Sequence, residues 1–240
     1  MGGLIGRLAL LAGLVAAVFV GSAAPLYRYG GFDLGHSFAV MTWGTYAAGG
    51  ALALGVIWIL AALFGRSGSG LGSVILAAIL AVGAAYVPVT MKMKAESVPF
   101  IHDITTDTAN PPVFVAIAPL RAEAPNGTDY KTDPAEQQKG YPDIQPMVSD
   151  LAPDLLFDRA LKTVREMGWE IVAEAKTEGR IEATETTQWW GFKDDVVIRV
   201  VAEGSGSKLD VRSMSRVGKS DVGKNAERIR LFLAKVKAAN

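Results

Sequence analysis

Three long uncharged runs come first along the chain, and short segments of alternating polarity come later. The runs are Leu8 to Tyr27, Ser37 to Gly65 and Ser67 to Met91. Each reaches the roughly 20 residues a helix needs to cross about 30 Å of hydrocarbon, and in lipid only a helix satisfies its own backbone within one segment. The pattern predicts transmembrane helices over about 8–27, 38–64 and 70–90, within a membrane region 1–92. Arg7 before the first run and Ser22-Ala23-Ala24 near its end also fit a signal peptide. Pro25 would directly follow the cut, however, and two more spans come after it, so retention is expected. Tyr27, Tyr29, Trp43 and Tyr46 read as interfacial anchors, and Gly44, Ala48, Gly49, Gly50 and Gly55 as a surface for close helix packing in one bundle. The spans hold no acid, base or histidine, so transport is not expected.

Residues 93–152 are rich in proline, aspartate and threonine, with apolar punctuation at Pro111 to Leu120 and Tyr141-Pro142-Asp143-Ile144. A pure linker would lack such anchors, so this stretch is expected to be a tether followed by an extended strap across a folded core. The core, 153–240, opens with a helix. Pro153 stands at a first helical position, Phe157, Ala160, Leu161 and Val164 recur at helical spacing, and Gly168 ends it. Four alternating segments follow, Ile171 to Ala175, Arg180 to Thr187, Asp195 to Ala202 and Lys208 to Ser215, with separators short enough for an antiparallel meander. A last helix carries Val222, Ala226, Ile229, Leu233 and Val236 as an apolar stripe opposite Lys224, Arg228 and Lys235. The order α-β-β-β-β-α predicts a two-layer α+β domain with both helices on one sheet face. Ile181, Ala183, Val196, Ile198, Val200, Leu209 and Val211 then point toward the helices. Arg180, Glu182, Thr184, Arg199, Asp210 and Arg212 go to the far face, with Arg199 opposite Asp210 or Arg212.

Charge sharpens this division. Of 48 charged side chains in 240 residues only Arg7, Arg28, Asp33 and Arg66 precede residue 92, and the rest of the chain is slightly acidic, which excludes a basic nucleic-acid binder. The absence of cysteine removes disulfides, thiolate zinc sites and a cysteine nucleophile. Lysine and arginine counts in the short loops, Arg7 and Arg66 against Arg28, Lys92 and Lys94, do not decide orientation. A short N-terminal tail with one arginine leans the soluble part toward the periplasm.

Gly179-Arg180-Ile181-Glu182-Ala183-Thr184, Gly191-Phe192-Lys193-Asp194-Asp195-Val196-Val197-Ile198-Arg199-Val200 and Asp210-Val211-Arg212-Ser213-Met214-Ser215-Arg216-Val217-Gly218-Lys219-Ser220-Asp221 closely resemble the family catalogued as domain of unknown function 1499. His102-Asp103-Ile104-Thr105-Thr106-Asp107, Pro111-Pro112-Val113-Phe114 and Tyr141-Pro142-Asp143-Ile144 are similar to its earlier motifs, so the resemblance spans roughly 100–236. Trp189-Trp190 departs from it, standing where one aromatic is expected before the glycine. The resemblance implies a domain identity, supports an extracytoplasmic location and implies no chemistry; with the three spans, which lie outside it, the expected setting is a bacterial inner membrane.

Candidate chemistry is sparse, and no catalytic residue, metal or cofactor is expected. Gly218-Lys219-Ser220 lacks the first glycine of a phosphate loop, Ser213 standing in its place, and it joins an antiparallel strand to a helix. Ser213, Ser215, Arg216, Lys219 and Ser220 before that helix could hold an anion, or Ser220 or Asp221 could cap the helix. Asp194 and Asp195 point to opposite faces of a strand and suit a turn with a salt bridge to Lys193 or Arg199. His102-Asp103 lacks a partner nucleophile and reads as packing or hydrogen bonding. The far-face arginines read either as a pocket for an acidic ligand closed by the strap or as a salt-bridged face buried beneath it. Arg180, Arg199, Arg212, Arg216, Lys219 and Ser220 are the ligand-binding candidates, and Trp189 and Trp190 are a contact patch or a lid on the core. The expected function is a non-enzymatic envelope binding or scaffolding protein whose partners are the bilayer and an anionic ligand or another envelope protein. The alternative is a membrane-anchored hydrolase or transferase using His102, Asp103 and the paired aspartates on an acidic substrate.

Overall fold

A computed structural model describes residues 1–66 and 69–238; Ser67 and Gly68, at the start of the third uncharged run, and the two C-terminal residues lie outside the described residues. The chain divides into two compact units. The first holds residues 1–93 with the short segment Trp189–Gly191, and the second holds the rest.

Three helices long and apolar enough to cross a membrane form the first unit: α1 (Gly2–Tyr29), α2 (Leu34–Leu63) and α3 (Leu71–Ser97). The buried positions of α1, Gly2, Gly6, Ala9, Gly13, Ala16, Val20 and Ala23, recur in steps of four and three, as do Ser37, Met41, Gly44, Ala48 and Ala51 on α2. That spacing is the seam of helices crossing at a shallow angle, and small side chains let the backbones approach. A Cβ on Gly13 would lie 3.0 Å from the Ala77 carbonyl oxygen, and one on Gly44 would lie 2.9 Å from the Val20 backbone nitrogen. The small-residue surface therefore divides. Gly44 and Ala48 pack inward, whereas Gly49 and Gly50 are exposed. Within this unit the Trp190 ring is buried, with its centroid 4.9 Å from that of Phe38, and Trp189 remains partly exposed.

The second unit is an antiparallel sheet with two helices on one face. Its strands are β1 (Asp103–Thr105), β2 (Met147–Ser149), β3 (Glu170–Ala175), β4 (Arg180–Thr186), β5 (Lys193–Glu203) and β6 (Gly206–Ser215). The strands β3 to β6 form the meander, and β1 and β2 both pair with the outer edge of β6, Ile104 opposite Ser213 and Val148 opposite Lys208. The segment before the core is thus more structured than an extended strap. It supplies two strands, a 3-10 turn over Ala118–Arg121 and a short helix, α4 (Pro134–Gly140).

The helices α5 (Pro153–Glu166) and α6 (Lys224–Ala238) cover the face carrying Ile181, Ala183, Val196, Ile198, Val200, Leu209 and Val211, all buried in one cluster with Phe157, Val164, Ile229 and Phe232. Gly168, at φ +71°, ends α5 and turns Trp169 back to stack on Phe232 with centroids 5.6 Å apart. At the next turn Gly179 has φ +63°, and a Cβ there would meet the Val200 carbonyl oxygen at 2.0 Å. Two expectations for the last helix need correction. It starts at Lys224, with Val222 in a left-handed turn at φ +54°, and Arg228 is buried instead of facing water.

Candidate functional site

Strand alternation sends Arg180, Glu182, Asp195, Arg199, Asp210 and Arg212 to the face away from the helices, where residues 103–130 cover them. The register there sets Arg199 opposite Asp210. Arg199 donates to Asp210 at 2.8 Å, to Asp107 at 3.2 Å and to the Asn110 carbonyl at 3.0 Å. Arg212 is almost fully buried and grips Asp103 with two hydrogen bonds of 2.9 and 2.8 Å, donating also to the carbonyls of Pro112 and Thr128. Arg180 pairs with Glu178 and Glu182. Glu182, wholly buried, accepts the backbone N–H groups of Val115, Ala116 and Ile117 at 2.8–3.0 Å, so a carboxylate of the sheet occupies a cradle of amides in the covering segment.

Asp194 and Asp195 lie on opposite faces, as strand geometry requires. Their partners are not Lys193 or Arg199. Asp195 receives Arg121 at 2.6 Å, Arg216 at 2.8 and 2.9 Å and the Thr184 hydroxyl at 2.7 Å. Burial pushes its carboxyl upward, but the hydrogen bonds from Arg216 and Thr184 and the charges of Arg216 and Arg121 prevail and hold it below the usual carboxylate range. Asp194 receives Arg228 of α6 at 2.6 Å, and Arg228 also reaches Glu185, Ser213 and Asn225. The adjacent aspartates therefore anchor different layers, one the covering segment and the other α6.

Composition did not single out Arg121 or Arg228. Arg121 is 1% exposed in its side chain, stacks over Phe114 at 5.6 Å and donates to the carbonyls of Asn126, Gly127, Met214 and Ser215. A signal for Arg228 did exist, because an aspartate turned toward a helix layer needs a cation from that layer.

The segment before α6 forms a cap. Asp221 accepts from the N–H groups of Gly223 and Asn225 at 2.8 and 2.7 Å, and the Ser220 hydroxyl accepts from Val222 N–H at 3.2 Å. Ser213 and Ser215 are buried on Asn225. Lys219 is exposed, and its carbonyl lies 3.4 Å from His102 Nδ1.

Both residues line a cavity of about 460 Å³ between the core and residues 125–136. Its walls also carry Phe100, Asp103, Asn126, Asp129, Lys131, Thr132, Asp133 and Glu136. Asp103 is engaged by Arg212, and burial pushes its carboxyl up against the effect of that guanidinium. Asp133 caps α4 by accepting Ala135 N–H at 2.9 Å. Among the described residues, Lys131, Lys219, Asp129 and Glu136 form no ion pair. This is the one place where sequence candidates, a concave surface and uncommitted charge coincide among the described residues, so it is the candidate site.

The sequence profile of a family described as "Protein of unknown function (DUF1499)" matches residues 103–236. No curated protein matches the chain.

Proposed function

The chain belongs to that family of unknown function, and from this premise we propose that it is a non-enzymatic, membrane-anchored binding protein whose second unit takes an anionic group into the cavity beside Lys219. One observation carries the reading. Arg121, Arg180, Arg199, Arg212 and Arg216 are committed to carboxylates of their own chain, whereas Lys131 and Lys219 line a cavity and form no ion pair among the described residues. A ligand on Arg180, Arg199, Arg212 or Arg216 would have to displace a buried carboxylate, and an uncompensated buried charge costs several kcal/mol. Ser220 contributes by shaping the turn that presents Lys219.

The hydrolase or transferase alternative is less favoured, because Asp194 and Asp195 work on opposite faces and the Nδ1 of His102 faces a carbonyl. We place the protein in a bacterial inner membrane with the second unit in the periplasm. A C-terminal reporter active on only one side of the membrane tests that placement, and cytoplasmic activity would overturn it. For the binding reading, inorganic phosphate and acetate are titrated by calorimetry into the full chain in lipid nanodiscs. Saturable binding that weakens at least roughly tenfold in Lys219→Ala is expected, the loss of one charge-assisted contact. Absence of millimolar binding, or binding indifferent to Lys219→Ala and Lys131→Ala, would sink the reading. Turnover lost in His102→Ala would overturn its non-enzymatic part.

A further inference from the structure

The cavity is lined by groups of both signs that form no ion pair, Lys219 and Glu136 among them. The Asn126 side-chain amide donates to the Gly218 carbonyl at 2.8 Å and fixes the loop that presents Lys219, next to His102. Just before the cavity residue Phe100, Pro99 lies against Gly140, the last residue of α4, where an added Cβ would come within 2.0 Å of the proline ring. Phe100, 66% exposed, and Glu136, one helical turn before Gly140, both line the cavity. Elsewhere in this unit opposite charges that approach one another pair directly. Here Lys219 and Glu136 line one cavity and do not meet.

We infer that the cavity takes a zwitterion, a phosphate-bearing ammonium of the phosphoethanolamine type, with its anionic end at Lys219 and its cationic end at Glu136 and Phe100. This deepens the anion-binding reading and rests on it. A primary ammonium suits the second end for two reasons. Glu136 offers a free carboxylate, and an exposed aromatic ring attracts a cation through its negative face. A simple anion would gain nothing from that end. The ligand can be a free small molecule or the headgroup of a lipid, and the two share this chemistry.

The test compares inorganic phosphate with O-phosphoethanolamine on the full chain in nanodiscs of phosphatidylglycerol. Phosphoethanolamine is expected to bind about tenfold more tightly than phosphate. Glu136→Gln is expected to erase that preference while leaving phosphate affinity intact, and Phe100→Leu to reduce it. Equal affinity for the two probes, or a preference that survives Glu136→Gln, overturns the inference while leaving the anion site standing. Failure of both probes to bind overturns the anion site itself. Nanodiscs of phosphatidylethanolamine then assign the source. Loss of soluble phosphoethanolamine binding in them assigns a lipid headgroup, and unchanged binding assigns a free molecule, each result supporting the same ligand class.

Discussion

Asp195→Asn removes one negative charge and almost no volume, so it isolates what that charge does. The carboxylate is wholly buried and receives three hydrogen bonds from two guanidiniums and one from a hydroxyl. After substitution Arg121 stays at 1% exposure with its carbonyl partners but no counter-charge, and Arg216 faces it. Breaking a buried pair from one side costs about 3–5 kcal/mol. A melt of two unlike units is not a two-state measurement, so the readout is hydrogen exchange at the β5 amides Val196 to Val200 in the detergent-solubilised full chain. That cost corresponds to exchange roughly 150- to 5,000-fold faster at neutral pH. Asp195 titrates below its ordinary value in the folded protein. Its contribution is therefore present above the unfolded pKa near 3.8 and is lost as pH falls through the folded value, so the gap between the two proteins closes in acid. Adding Arg121→Met to Asp195→Asn removes the stranded cation and should recover part of the loss. Exchange within about threefold of wild type at neutral pH would refute the claim that this charge anchors the covering segment.

Other consequences are equally direct. Arg228→Ala strands Asp194 and should cost about 3–5 kcal/mol, whereas Lys224→Ala on the same helix should stay within about 0.5 kcal/mol; hydrogen exchange at the β5 amides that ranks them equally would contradict the buried network. Gly179→Ala forces a side chain into the left-handed region and onto the Val200 carbonyl. It should destabilise the second unit by at least about 1 kcal/mol in the same assay, and a neutral result would mean the turn is not as described. Burial, with the Asp103 charge for Tyr130 and the Asp221 charge for Tyr141, raises both phenols to about 12. The unfolded chain releases these protons first, so stability should fall between pH 10 and 12, and absorbance near 295 nm should show one late-titrating phenol fewer in Tyr130→Phe than in the unaltered chain.

Much of this architecture could be read from residue order because strand geometry has a period of two. Once Ile181, Val196, Ile198, Leu209 and Val211 were set on one face, Glu182, Arg199, Asp210 and Arg212 had to take the other, and the Glu203-Gly204-Ser205-Gly206 turn fixed Arg199 opposite Asp210. The strands β1 and β2 were not readable in that way. Each has three residues, too few to show a period, and each exists because β6 offers an unpaired edge. Arg121 was hidden for a related reason, since nothing local in Pro119-Leu120-Arg121 shows that the turn lies over Asp195. The charge of Arg228 suggests exposure, yet the side chain is buried. Spacing alone puts it three residues from Asn225 and four from Phe232, both buried, and hence on the covered flank of α6.

Whether a charge is structural or available depends on what already satisfies it. A guanidinium has five donors in a fixed fork, and a buried one is stable only when carboxylates and carbonyls take them. Arg212 and Arg121 meet that condition with groups drawn from segments distant in sequence, which ties residues 103–130 to the sheet and leaves little for a ligand. Lysine on a mobile stem carries no such demand. Lys219, at the end of a capped turn and at the edge of a cavity, can stay solvated until an anion arrives. The distinction is testable with one pair of variants. Arg212→Lys should weaken protection in β6 without requiring any change in phosphate affinity at the cavity. Lys219→Ala should weaken that affinity at least roughly tenfold while leaving β6 protected. The reverse pattern would place the ligand on the arginine face.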